Sequence, residues 1–96
     1  MVDAKKVKPS LKEFGTVKIS DGRVVTIFKG KGKHSFKATS IANGDGSLYT
    51  KALMSLLVEF DGKPVTMEEF DELDLPDLFA IQDKFNDANF TSHLNE

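Results

Sequence analysis

An α+β fold, an N-terminal antiparallel β-hairpin packed on three to four α-helices, is predicted by three features of the sequence. Strand-like runs come first and helical patterns follow, and grouped rather than alternating elements read as α+β. Asp21-Gly22 separates two β-branched runs, a short-range hairpin signal because a two-residue turn needs positive φ and glycine supplies it. Leu48, Ala52, Leu53, Leu56, Leu57 and Phe60 recur at helical spacing and predict one central helix over 48–60.

Residues 1–10 are lysine-rich, contain Pro9 and show no periodicity, which predicts a flexible basic arm. A single domain is expected over 11–90 and a frayed tail over 91–96. The hairpin is expected from Phe14–Ser20 and Arg23–Phe28, with Val17 and Ile19 on one face. Lys29–His34 reads as a flexible basic loop. Ser35–Ala42 fits a short helix capped by Ser35, or a third strand, and the helix is preferred. Asn43–Ser47 is a turn cluster, and Asp45 or Ser47 caps the central helix. Asp61-Gly62-Lys63-Pro64 ends that helix at Phe60, with Gly62 as a left-handed C-cap. Thr66-Met67-Glu68-Glu69 is a capping box opening a short helix to about Leu73. Asp74-Leu75-Pro76-Asp77 opens the last helix, with Leu78, Ile81, Phe85 and Ala88 or Asn89 inward and Phe79 off that stripe.

The chain has no cysteine, which excludes disulfides and thiolate metal sites. Residues 1–8 contain no hydrophobic signal core, and no apolar run approaches the roughly 18 residues that span a bilayer. A soluble, non-secreted protein is expected. The net charge of −2 conceals a split: ten Lys/Arg and three acids in 1–37, three Lys and twelve acids in 38–96. Such polarity suits halves that attract each other, or copies that bind head to tail. Solvated faces without further meaning account for it equally well.

No catalytic constellation emerges, so no enzyme and no cofactor are expected. A phosphate-binding loop at Gly32-Lys33 needs glycine at Ile27 and Ser or Thr at His34, and has neither. Lys29, Lys31, Lys33 and Lys37, near Phe28 and Phe36, form a candidate polyanion or subunit contact, and a nucleic-acid-binding module is the alternative function they support. Asn43–Gly46 lacks the spacing of a calcium loop. His34 and His93 have no second ligand at helical spacing, so no metal is expected, and His34 should face solvent. Glu68, Glu69, Asp71, Glu72, Asp74 and Asp77 are accounted for by helix N-termini, which favour carboxylates.

The run Ile41-Ala42, Gly46, Ala52-Leu53-Met54, Leu57, then Asp61-Gly62-Lys63-Pro64-Val65-Thr66-Met67-Glu68-Glu69-Phe70-Asp71-Glu72-Leu73-Asp74-Leu75-Pro76-Asp77-Leu78, and Phe85 resembles the small tail assembly chaperones of long-tailed, Mu-like and P2-like phages and prophages. The match covers roughly residues 34–90 and is one of core, turn and cap residues. It implies a non-enzymatic protein of the bacterial host cytoplasm that holds a tape-measure protein while tail-tube subunits assemble around it. A structural tail component sharing the fold is a further alternative. The resemblance carries no catalytic residue. A holder of long apolar helices needs an apolar groove. Phe79, Phe85 and Phe90 on the last helix, with Met54 and Met67 as adaptable contacts, are the candidate partner-binding residues. A homo-oligomer is compatible with the charge split.

Overall fold

The computed structural model describes residues 11–91. The arm expected over 1–10 lies outside them, as does all of the expected tail except Thr91. The order of elements is β1 (Lys12–Lys18), β2 (Val24–Lys29), α1 (Gly32–Ala42), α2 (Gly46–Leu57), β3 (Val58–Phe60), β4 (Lys63–Pro64), α3 (Met67–Asp71), α4 (Leu75–Asn86) and a π-helical turn, Asp87–Thr91. The α+β class holds, and the hairpin is half of a four-stranded antiparallel sheet in the order β1-β2-β3-β4.

The β1–β2 connection differs in detail from the expectation. It is a three-residue loop, Ser20-Asp21-Gly22, closed by Gly22 N donating to Ile19 O (2.9 Å) and Ile19 N to Arg23 O (3.0 Å). Gly22 sits at φ +95°, the left-handed residue that follows a turn in a three-residue hairpin. The Asp21 carboxylate is occupied by the Arg23 amide (3.0 Å) and guanidinium Nε (2.9 Å). These bonds to Arg23 lower the Asp21 pKa from its ordinary value.

The larger correction concerns the central helix. It ends at Leu57, not Phe60, and Val58–Phe60 forms the third strand. Val25 pairs with Phe60, Thr26 with Glu59 and Ile27 with Val58, so these residues satisfy the second edge of β2. Backbone groups in a sheet must be paired, and that long-range pairing overrides a helical spacing that continued through the segment. Asp61-Gly62 is therefore a hairpin turn and not a helix cap. Both residues have positive φ, 52° and 80°, as the tight turn between β3 and β4 requires. Asp61 also joins β2, donating its amide to Val24 O (2.7 Å) and accepting from Val24 N through Oδ1 (2.9 Å).

The segment 35–42 is helical, but α1 begins three residues earlier, at Gly32. Ser35 is not its cap. The His34 ring Nδ1 accepts from the Lys31 amide (2.9 Å), the side-chain half of a capping box. A lysine side chain has no acceptor to offer in return. The expected basic loop is thus a strand end, a two-residue connector and a helix start. His34 is half-buried rather than fully solvent-facing. Asn43 (φ 51°) closes α1, and Asp45 caps α2 by accepting from Ser47 N (2.9 Å).

α4 lies on β1 and β2, α2 on β2 and β3, and α1 on α2. Val25, Ile27, Val58, Ile81 and Phe85 have no solvent exposure and join these layers. Gly30 allows the closest approach: a Cβ there would stand 2.6 Å from Leu57 Cδ1. Phe60 and Phe70 meet edge to face at 5.8 Å, which seats α3 on the end of the sheet.

Candidate functional site

The segment Asp61–Leu78 is built by local chemistry that the sequence displays. Thr66 Oγ1 accepts from Glu69 N (3.3 Å), and Glu69 Oε1 accepts from Thr66 N (2.7 Å). This capping box starts α3, whose single inward aromatic is Phe70. Glu72 ends α3, and Asp74 occupies the N-cap position of α4 without a side-chain cap bond. Pro76 lies in the first turn of α4, where its missing N–H costs nothing.

α4 then shows two apolar stripes. Leu78, Ile81 and Phe85 turn inward, followed by Ala88 in the π-helical turn. Leu75 and Phe79, one helical turn apart, point away from the core and are 63% and 57% exposed. Between this helix, α3 and the first half of α2 runs an open groove of about 350 Å³. Met54 and Phe70 form its floor, and Leu73, Leu75 and Leu78 its apolar wall. Lys51 and Asp71 pair across its rim at 2.8 Å. Glu72 and Asp74, the chain neighbours of the lining residue Leu73, are exposed.

The five candidate partner residues divide. Phe79 is exposed beside the groove. Phe85 is wholly buried, because it lies on the stripe that α4 sets against the sheet, so it is no surface contact. Met54 is 1% exposed and contributes only as groove floor. Met67 is half-buried against the core. Phe90 is 41% exposed and meets Phe85 edge to face at 5.8 Å. It lines a second hollow of about 270 Å³ with Tyr49, Leu53, Leu57 and Asn89. Leu75 was missed by sequence reasoning, although its position four residues before Phe79 was a sufficient signal.

The four candidate lysines are spread over three elements. Lys29 ends β2, Lys31 stands at the N-cap position of α1, and Lys33 and Lys37 lie exposed on α1. Phe28 is buried, so Phe36, 77% exposed, is the aromatic that accompanies them on the surface. Two of the acids are engaged by neighbouring groups. Asp77 Oδ1 and Oδ2 accept from Ser20 N (3.0 Å) and Ser20 Oγ (2.6 Å), and Glu69 is consumed by its capping box. Among the described residues no group of three or more His, Cys, Asp or Glu is placed to hold a metal ion. No helix in this range is long and apolar enough to cross a membrane. No protein-family model, curated protein or solved structure matches the chain.

Proposed function

We propose that the chain is a non-enzymatic phage tail assembly chaperone that binds the tape-measure protein during tail assembly. One observation carries this reading: the segment that bears the resemblance, Asp61–Leu78, supplies Phe70, Asp71, Leu73, Leu75 and Leu78 to the open groove, and α2 supplies most of the remaining lining. Leu75 and Phe79 at i and i+4 present a strip suited to the apolar face of a helix. The thioether of Met54 gives the groove floor a soft surface that adapts to different side chains.

The reading is tested by co-expression with a phage tape-measure protein. The wild-type chain keeps that protein soluble and copurifies with it. Leu75→Ser/Phe79→Ser folds but leaves it insoluble. Stoichiometric recovery of the chain from finished tails would instead identify a structural component.

A further inference from the structure

We infer that the outer face of α1 binds single-stranded nucleic acid. Ala38 and Ala42 bury one side of α1 against α2, and helical spacing places Lys33, Phe36, Lys37 and Ser40 on the other, all of them exposed. Phe36 is the most exposed large apolar side chain among the described residues, at 77%. A ring so placed offers an open π-face to an unpaired base.

The charge around the ring has one sign. α1 contains no Asp or Glu, Lys31 stands exposed at its N-cap position, and Lys29 ends β2 two residues earlier. The ion pairs among the described residues are Arg23–Asp21 and Lys51–Asp71, so no described acid neutralises the lysines of this face. Lys33 and Lys37 lie one helical turn apart, a rise of about 6 Å, and Phe36 stands beside them as the i+3 neighbour of Lys33. Two phosphates of one strand can follow the lysines while a base turns onto the ring. The Ser40 hydroxyl, one turn beyond Phe36, adds a donor for phosphate or sugar.

The ring selects an unpaired strand. In a duplex the bases are stacked on one another, and this face meets only phosphates. The contact is short: the rise from Lys33 to Ser40 is about 10 Å, room for about two or three nucleotides. The twelve acids of 38–96 repel a phosphate backbone elsewhere on the domain and confine it to α1. The face is also separate from the groove. α1 is held on one side of α2, where Ser35 Oγ and Tyr49 Oη lie 2.6 Å apart. The groove opens on the side of Met54, five residues further on and so about 140° round the helix. Nucleic-acid binding at α1 therefore goes beyond the client reading and does not rest on it.

The experiment is fluorescence anisotropy of labelled short oligo-dT, oligo-U and a duplex of equal length, titrated with the full chain over a range of salt. The wild type binds one or both single strands more tightly than the duplex, and less tightly as salt rises. Phe36→Ser, a change at an exposed site, weakens binding by about fivefold or more at every salt and leaves the salt slope unchanged. Lys33→Gln/Lys37→Gln lowers that slope by about 1.4, the loss of two phosphate contacts on a single strand. Lys63→Gln, at an exposed lysine of β4, changes neither. Thermal unfolding of each variant confirms that the fold is kept. No binding at the lowest salt overturns the inference, and so does a duplex bound as tightly as the single strands. Wild-type binding by a folded Phe36→Ser, or a slope that falls as much for Lys63→Gln as for each lysine of α1, overturns it as well. Displacement of the oligonucleotide by polyglutamate at equal charge would identify an acidic protein as the partner instead. No client enters this measurement, so its failure leaves the proposed function standing, and a failed client pull-down leaves this inference standing.

Discussion

Ser20 and Asp77 join the hairpin loop to the first turn of α4 across 57 positions of sequence, through bonds of 3.0 Å to the Ser20 amide and 2.6 Å to its hydroxyl. Asp77 thus accepts from the strand loop, where the sequence had suggested only a favourable charge at a helix start. Removing it frees the amide of Ser20 and loosens α4 from β1. Asp77→Ala should cost about 1 kcal/mol, in the range of a solvated charge-assisted bond. Ser20→Ala should cost less, because the amide bond survives. Chemical denaturation of both variants measures the order, and equal losses would show that the hydroxyl carries the whole contact.

Gly30 and Leu57 provide a second test. A Cβ at Gly30 would lie 2.6 Å from Leu57 Cδ1. Gly30→Ala should lose about 1–3 kcal/mol by overpacking. Leu57→Ala alone should lose about 2–5 kcal/mol through the cavity it leaves. The double variant should be markedly more stable than the sum of the two losses, because the truncated leucine makes room for the new methyl. Strict additivity would contradict the close approach.

The β3–β4 turn makes a prediction about backbone alone. Gly62 sits at φ 80° with open space around it, so Gly62→Ala is penalised by conformation and not by contact. A loss of about 1 kcal/mol is expected in thermal unfolding. Asp61→Asn should be nearly neutral, because asparagine tolerates left-handed φ and retains an oxygen for Val24 N.

Asp45 ties stability to pH. Its carboxyl is lowered from the ordinary value of 3.8 because the Ser47 hydroxyl and amide both donate to it. A depressed folded-state value contributes stability above the unfolded value, and that contribution is lost as pH falls through the lower folded value. Protection of the Ser47 and Leu48 amides, taken relative to their intrinsic exchange rates, should therefore fall in acid in the wild type. Asp45→Asn keeps a capping oxygen that does not titrate, and should abolish that acid step. An unchanged step would place the titration on another group.

Much of this architecture was legible because it is local. The capping box at Thr66–Glu69, Pro76 in the first turn of α4, the Asp45 cap and the inward stripe Leu78–Ile81–Phe85 all follow from spacing within a few residues. What spacing concealed was decided at long range. Val58 and Phe60 continue the helical pattern of α2, yet they pair with Ile27 and Val25, thirty or more residues earlier. The two Asp-Gly pairs exchange roles for the same reason. Asp61-Gly62 makes the two-residue turn, while Asp21-Gly22 belongs to a longer loop held by Ser20, Arg23 and Asp77. At the site, an aromatic-rich last helix was evident, but which aromatics stay outside depends on the face α4 turns to the sheet. That choice buries Phe85 and leaves Leu75 and Phe79 exposed.

The most direct test of the central proposal compares client binding and stability in the same two variants. Leu75→Ser/Phe79→Ser alters side chains outside the core, and Phe85→Ala removes a wholly buried ring at a cost of about 3–5 kcal/mol. The measurement is pull-down of a co-expressed phage tape-measure protein, with thermal unfolding of each variant alongside. The account predicts that Leu75→Ser/Phe79→Ser keeps the wild-type melting temperature and loses the tape-measure protein. Full recovery of that protein by a well-folded Leu75→Ser/Phe79→Ser variant would contradict it.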